Sequence, residues 1–147
     1  MNIRPMSITH YDQLRELWLS TPGMGLNDLD DSREGIAKLI ARNLRTSYVA
    51  INDNCDLIGA IMCGHDGRRG YIYHTCVRGD RQGEVIGRAL AEAALDALKA
   101  EDIHKVALVA FSSNEEGNAF WEKMGFTTRD DLIYRNKSLT EMVRTDT

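Results

Sequence analysis

Proline is scarce in this chain, with Pro5 and Pro22 the only two. Every helix or strand pattern beyond Pro22 therefore runs without a residue that lacks a backbone N–H. Cysteine is sparse as well. Cys55, Cys63 and Cys76 are odd in number and carry no C-x-x-C spacing, which fits neither a disulfide framework nor a zinc site. Free thiols in a reducing compartment are the expectation. No apolar run approaches the length that spans a bilayer, and Met1 to Pro5 has no signal-peptide core, so a cytoplasmic protein without a membrane partner is expected. Basic charge is not in excess either. The 18 Lys and Arg against 22 Asp and Glu give a formal net charge of −4, which argues against a nucleic-acid partner. What is present suits one globular domain over 1–147: 43% hydrophobic and 27% charged residues, with no repeat, low-complexity segment or linker.

Along the chain, Ile3 to Met6 reads as an edge strand, after which Ser7 or Thr9 can cap a helix, Thr9 and Asp12 having capping-box spacing. Tyr11, Leu14, Leu17 and Trp18 define the inner face of that helix, which stops at Thr21-Pro22-Gly23. Met24 to Asp31 is a loop, and Asp31 or Ser32 caps a second helix with Ile36, Leu39 and Ile40 inside. Ser47 to Ile51, Leu57 to Cys63 and Tyr71 to Val77 are strand runs, joined by turns at Asn52-Asp53-Asn54 and Asp66-Gly67-Arg68-Arg69-Gly70. An antiparallel meander is predicted, with Cys63 and Cys76 facing each other and Arg68 and Arg69 solvated. Residues 85–99 form a helix with a small-residue inner face. Ile103 to Phe111, reached after this crossover helix, is predicted to run parallel to Tyr71–Val77. Ser113-Asn114-Glu115-Glu116 opens a last helix that ends at Gly125 in a left-handed cap, with Phe126 packing back. Thr127 to Arg129 and Leu132 to Leu139 suggest a final hairpin, followed by a tail that frays from about residue 140.

The stretch from Thr75 to Leu90 joins a strand to the crossover helix through a polar turn with Gly79, Gly83 and Gly87. Amide N–H groups exposed at such a helix start form a cradle for a phosphate or pyrophosphate. A P-loop is excluded because Arg88 and Ala89, not Lys and Ser/Thr, follow the last glycine. A dinucleotide fold would place this turn after its first strand, and here it lies past the middle of the chain. Gln82-x-x-Val85-x-Gly87 resembles instead the pyrophosphate loop of the GNAT N-acetyltransferase superfamily, Gln/Arg-x-x-Gly/Ala-x-Gly/Ala, with Val85 where glycine or alanine is usual. Asn114-Glu115-Glu116-Gly117-Asn118-Ala119-Phe120-Trp121-Glu122-Lys123-Met124-Gly125-Phe126 resembles the family's second signature, Asn-x-x-Ala-x-x-x-Tyr-Glu-Lys-x-Gly-Phe, with Trp121 in the tyrosine's place. Gly64 to Gly70 is similar to a hairpin common in small bacterial members. Both motifs stand in the family's order, so the resemblance covers nearly the whole chain.

The resemblance implies an α/β GNAT fold: a mixed, mostly antiparallel sheet of six to seven strands with a parallel splayed pair in its middle, flanked by about four helices. It implies an acetyl-CoA-dependent N-acetyltransferase that acetylates a primary amine of a small molecule, a protein N-terminus or a lysine. Acetyl-CoA is the co-substrate, no metal takes part, and homodimers are frequent. Gln82, Gly83, Glu84, Val85, Ile86, Gly87 and Arg88 would hold the pyrophosphate. The edge at Thr75, Cys76 and Val77 would pair with the pantetheine as an added strand, and Asn114 would hydrogen-bond that arm from the other side. A backbone N–H near Cys76 would hold the thioester oxygen, an interaction worth ~3 kcal/mol in comparable oxyanion sites.

Members of the family commonly use the tyrosine of the second signature as general acid. An indole N–H donates a hydrogen bond but delivers no proton at neutral pH. Trp121 is thus expected to pack along the pantetheine and orient the sulfur, with water or Tyr134 serving the thiolate. For the base, Tyr73 shares a strand face with Tyr71 and Thr75 and offers the end of a water relay, its free pKa of about 10 being too high for direct proton removal. His74 has the better pKa and points to the opposite face unless a bulge re-aims it. Cys76 is the nucleophile candidate, without a general-base partner in the sequence. The loop Pro22 to Asn27 is an adaptable acceptor lid or a plain connection. A noncatalytic acyl-CoA sensor and a phosphate-binding regulatory domain unrelated to CoA are the competing readings.

Overall fold

The structure is a computed structural model and describes residues 1–79 and 83–146. Five strands form one sheet in chain order: β1 (Asn2–Pro5), β2 (Tyr48–Ile51), β3 (Leu57–His65), β4 (Gly70–Val77) and β5 (Val106–Leu108). The first four pair antiparallel, and β5 lies parallel to β4 as the crossover argument expects. Helices α1 (Tyr11–Leu19) and α2 (Arg33–Arg42) pack on one face, α3 (Glu84–Ala100) and α4 (Glu115–Lys123) on the other. β3 is buried from Leu57 to Gly64 because it is central and covered on both sides. Ala91 and Ala94 let α3 lie close on the sheet, with Leu90 and Leu98 filling the gaps between them.

Local chemistry sets the ends of these elements. Ser7, rather than Thr9, makes the first cap: its hydroxyl accepts the Thr9 N–H, and the His10 ring accepts the Ser7 N–H. The box closes on a short 3-10 turn, Ile8–His10, that runs into α1. Ser32 caps α2 by accepting the Gly35 N–H at 3.0 Å. α4 ends in the arrangement its sequence predicts. Gly125 sits at φ 93°, its N–H reaches Glu122 O, and the Phe126 N–H reaches Trp121 O, each at 3.0 Å.

The sheet has five strands among the described residues, not six or seven. Only Val106–Leu108 of the Ile103–Phe111 run pairs, so a following hairpin has a three-residue edge to dock on, and an unsupported hairpin is marginal. Thr127–Arg129 and Leu132–Leu139 accordingly form no strand, and Leu132, Ile133, Tyr134 and Leu139 stay exposed. Arg129 instead forks onto Asp131 with two N–H bonds of 2.8 Å.

The tail expected to fray is held by hydrogen bonds at residues 143–146. Asp28 N–H meets Val143 O at 2.9 Å, Thr145 N–H meets Leu26 O at 3.0 Å, and the Asp146 carboxylate accepts the N–H groups of Gly25 and Leu26, both at 2.8 Å. Nor do Cys63 and Cys76 face each other. Cys63 stands opposite Ile72 and Cys76 opposite Ala60, and the two thiols belong to opposite cores.

Candidate functional site

Strand register places the site. β5 pairs with β4 only through Gly70–Val106, Tyr71–Ala107 and Ile72–Leu108, whereas β4 continues to Val77. Among the described residues no strand lies beside Tyr73–Val77 on that side, so this edge presents unpaired backbone groups to a wedge between the diverging strands. Thr75, Cys76 and Val77, expected to guide a pantetheine arm, lie on that edge.

The chain from Val77 to Gly83 is short, so α3 begins at the mouth of the wedge. Gly83 is its N-cap, with extended backbone at φ 177° and no side-chain cap among the described residues. The first amides, at Gly83 to Ile86, are therefore left for an outside acceptor with the positive end of the helix dipole behind them. Val85 is 75% exposed, so its branched side chain stands in solvent. Gly87 has a packing role as well: a Cβ there would lie 3.2 Å from Cε1 of Phe120. Ile86 packs into the α3/α4 core, and Arg88 pairs with Glu92 at 3.8 Å on the outer face. Gln82 lies outside the described residues.

On the β5 side, Asn114 uses its Oδ1 to cap α4, accepting the Gly117 N–H at 3.0 Å. Asn118, whose role no sequence pattern marks, donates to Phe111 O at 3.0 Å and Asn114 O at 2.9 Å, and so ties the end of the β5 run to α4. Trp121 is 8% exposed and packs edge-to-face with Phe120 at 4.9 Å and Phe126 at 5.1 Å. That packing leaves the indole little surface for a cofactor.

The other wall is set by a bulge in β4. Ile61 stands opposite Thr75 and Cys63 opposite Ile72, so Tyr73 and His74 together oppose the single residue Met62. His74 is thereby turned to the α1/α2 side, where it meets buried Trp18 edge-on at 5.2 Å. Its Nε2 and Asp31 Oδ1 are 2.6 Å apart. Asp31, whose side chain is 7% exposed, accepts the Asn27 N–H on Oδ2 at 2.8 Å, and its main-chain oxygen accepts the Tyr11 hydroxyl at 2.7 Å. Trp18 Nε1 is buried without a hydrogen-bond partner among the described residues. A cavity of about 260 Å³ borders Asp31, lined by Tyr11, Arg15, Asn27, Asp28, Ser32 and Thr145. In the sequence Asp31 reads only as a helix cap, and the acidic run Asp28, Asp30, Asp31 is the one signal of more.

The remaining candidates sort by environment. Burial pushes the Cys76 thiol up to about 12, against the opposing hydrogen bond from Thr21, so a thiolate nucleophile does not fit. Tyr71 and Tyr73 have rings 4.7 Å apart. Both phenols are raised, first by burial and then by neighbours that include Tyr134, which makes them weaker acids than free tyrosine. Tyr134 is itself 65% exposed. The loop between α1 and α2 reaches the end of the β5 run: Gly25, at φ 74°, would place a Cβ 3.5 Å from the Phe111 ring, and Arg144 lies over that ring at 5.7 Å. Among the described residues no group of His, Cys, Asp and Glu is placed to hold a metal ion, and no helix is long and apolar enough to cross a membrane.

The model of the acetyltransferase (GNAT) family matches residues 11–126. N-alpha-acetyltransferase 30 of Schizosaccharomyces pombe is 33% identical over 94 residues, covering 60% of this chain and 61% of that protein. An acetyltransferase of Sodalis glossinidius is 30% identical over 86 residues, covering 58% of this chain and 61% of that protein. The matched part therefore spans 61% of the length of each of these two relatives. The PaiA N-acetyltransferase of Thermoplasma acidophilum, solved in complex with coenzyme A, shares the fold with a TM-score of 0.73 at 19% identity, over 88% of this chain and 91% of that one.

Proposed function

Since the chain belongs to the acetyltransferase (GNAT) family, we propose that it transfers the acetyl group of acetyl-CoA directly to a primary amine, on a small molecule, a protein N-terminus or a lysine. One observation carries the reading: the uncapped start of α3 lies at the mouth of the wedge where β4 parts from β5. The amides of Gly83 to Ile86 suit a diphosphate, and the free edge of Tyr73–Val77 suits the amides of a pantetheine arm laid along it as an extra strand. A backbone N–H near Cys76 then reaches the thioester oxygen as charge builds on it. The acceptor enters from the opposite side, past the α1/α2 loop and the two tyrosines of β4. A relative named as an N-alpha-acetyltransferase makes peptide α-amines the first acceptors to try. The reading places the protein in the reducing cytoplasm, where free thiols and acetyl-CoA coexist.

Calorimetry and thermal melts with CoA test the binding half. CoA at 100 times its Kd is expected to raise Tm by roughly 8 °C. No heat and no shift on folded protein would end the reading. Thiol release with acetyl-CoA and a panel of peptides and small amines tests the transfer half. Binding without release from any acceptor would leave only the sensor alternative.

A further inference from the structure

Resting on the acetyl-transfer reading, we propose that His74 takes the proton from the acceptor amine and that Asp31, on the loop strapped down by residues 143–146, is its positioning residue. A primary amine is protonated near neutral pH and attacks only after losing that proton, so the site needs a base that titrates in the same range. An imidazole is the side chain suited to that range. His74 is the imidazole that the bulge brings to the acceptor side, into the corner made by Trp18 and Asp31. Its Nε2–H is donated to Asp31 Oδ1 at 2.6 Å, which leaves the Nδ1 lone pair for the acceptor.

Asp31 is itself held. The Asn27 amide fixes Oδ2, Tyr11 fixes the main chain, and Asn27 is bridged to Arg144. The ladder of residues 25–28 with 143–146 thus reaches the imidazole through a single carboxylate. Facing the ring are Asp31 from the loop and Trp18 from α1. A carboxylate in that position orients the ring and stabilises the imidazolium that forms, as an aspartate does for the histidine of a hydrolase triad.

The step balances. The ammonium gives one proton to Nδ1, and the freed lone pair attacks the thioester carbonyl carbon. The C–N bond forms, the C–S bond breaks, and the second nitrogen proton leaves with the CoA thiolate. The imidazolium returns its proton to water, so ammonium plus acetyl-CoA gives acetamide, CoA thiol and one proton.

The test is a pH–rate series on the full chain with acetyl-CoA and a peptide bearing a free α-amine, reading thiol release for wild type, His74→Gln and Asp31→Asn. CoA affinity and thermal melts are run alongside. His74→Gln is expected to lower kcat about 10²- to 10³-fold, to abolish the acid limb of kcat/KM and to leave CoA affinity unchanged. Asp31→Asn is expected to lower kcat about tenfold and to move the acid limb to lower pH, because a lost anionic neighbour disfavours the imidazolium. A purely structural tie would change the melts without moving the limb. Nitrogen-15 NMR of wild type, recorded above the acid limb, needs no variant: the neutral ring is expected to carry its proton on Nε2, and a neutral ring protonated on Nδ1 overturns the proposal. His74→Gln turnover within twofold of wild type with the limb intact overturns it too and leaves acetyl transfer standing. Wild type that releases no thiol with any amine overturns acetyl transfer and this assignment together.

Discussion

The three cysteines differ in reactivity for reasons of burial. Cys55 is exposed in the β2–β3 turn at φ 65°, while burial pushes the thiols of Cys63 and Cys76 up to about 12. The two buried thiols therefore carry little thiolate at pH 8 and little access to reagent, so iodoacetamide is expected to label Cys55 alone at an appreciable rate, as mass spectrometry of a time course would read. Rapid labelling of Cys76 would reopen its case as a nucleophile. A second residue-scale prediction concerns Gly117. A Cβ there would meet Cγ of Asn114 at 2.8 Å and push the capping side chain off the Gly117 amide. Gly117→Ala is expected to cost about 1 kcal/mol of stability, the worth of a lost N-cap. It should weaken CoA binding as well, if the Asn114 amide contacts the pantetheine. Trp121 makes the converse case. Its packing against Phe120 and Phe126 predicts that Trp121→Phe lowers stability by about 1 kcal/mol and leaves CoA affinity near wild type.

At the scale of elements, the α1/α2 loop and residues 143–146 behave as one unit. Burial on its own would raise the Asp146 carboxyl, but the Leu26 N–H, Arg144 and the Gly25 N–H outweigh it and hold the carboxyl below its ordinary value. A carboxyl depressed by folding stabilises the strap fully above its unfolded pKa of about 3.9, and that contribution is lost as pH falls through the lower folded value. The amide shifts of Gly25 and Leu26 are therefore expected to stay constant from neutral pH to about 4 and to move only below it. Asp146→Asn should speed hydrogen exchange at both amides by roughly tenfold or more at neutral pH, since each loses a bond to a charged acceptor. Unchanged exchange in that variant would mean that the loop holds its shape without the strap.

For the molecule as a whole, exposed surface is the informative quantity. The chain exposes 9717 Å². A compact monomer of this mass would expose about 7,500 Å². Part of the excess belongs to residues 127–142, a segment outside the sheet that carries Leu132, Ile133, Tyr134 and Leu139 in solvent. Limited proteolysis is expected to nick this segment before any other, leaving a core that ends near Phe126, because few buried contacts protect its backbone. Cleavage that begins in the β2–β3 or β3–β4 turn would show the segment to be covered in solution.

Much of this architecture was written locally. The periodicity of Tyr11, Leu14, Leu17 and Trp18, the apolar run from Leu57 to Cys63 in β3, the glycine past α4 and the parallel return after α3 each follow from forces acting within a few residues or one crossover. Sequence alone therefore determined the layers, the parallel pair and the helix start that opens on the wedge. Tertiary structure decided which side chains meet there. The β4 bulge depends on how β3 and β4 pair, and the partner it gives His74, Asp31, lies 43 positions away. Burial of the Cys76 thiol and of Trp121 likewise depends on neighbours that no local pattern names. The hairpin expected after Gly125 needed a longer β5 edge than the fold provides, and the tail expected to fray found its hydrogen-bond partners in the loop at residues 25–28. Local pattern fixes what a segment can form, whereas the pairing of distant segments fixes which groups lose their water and gain a partner.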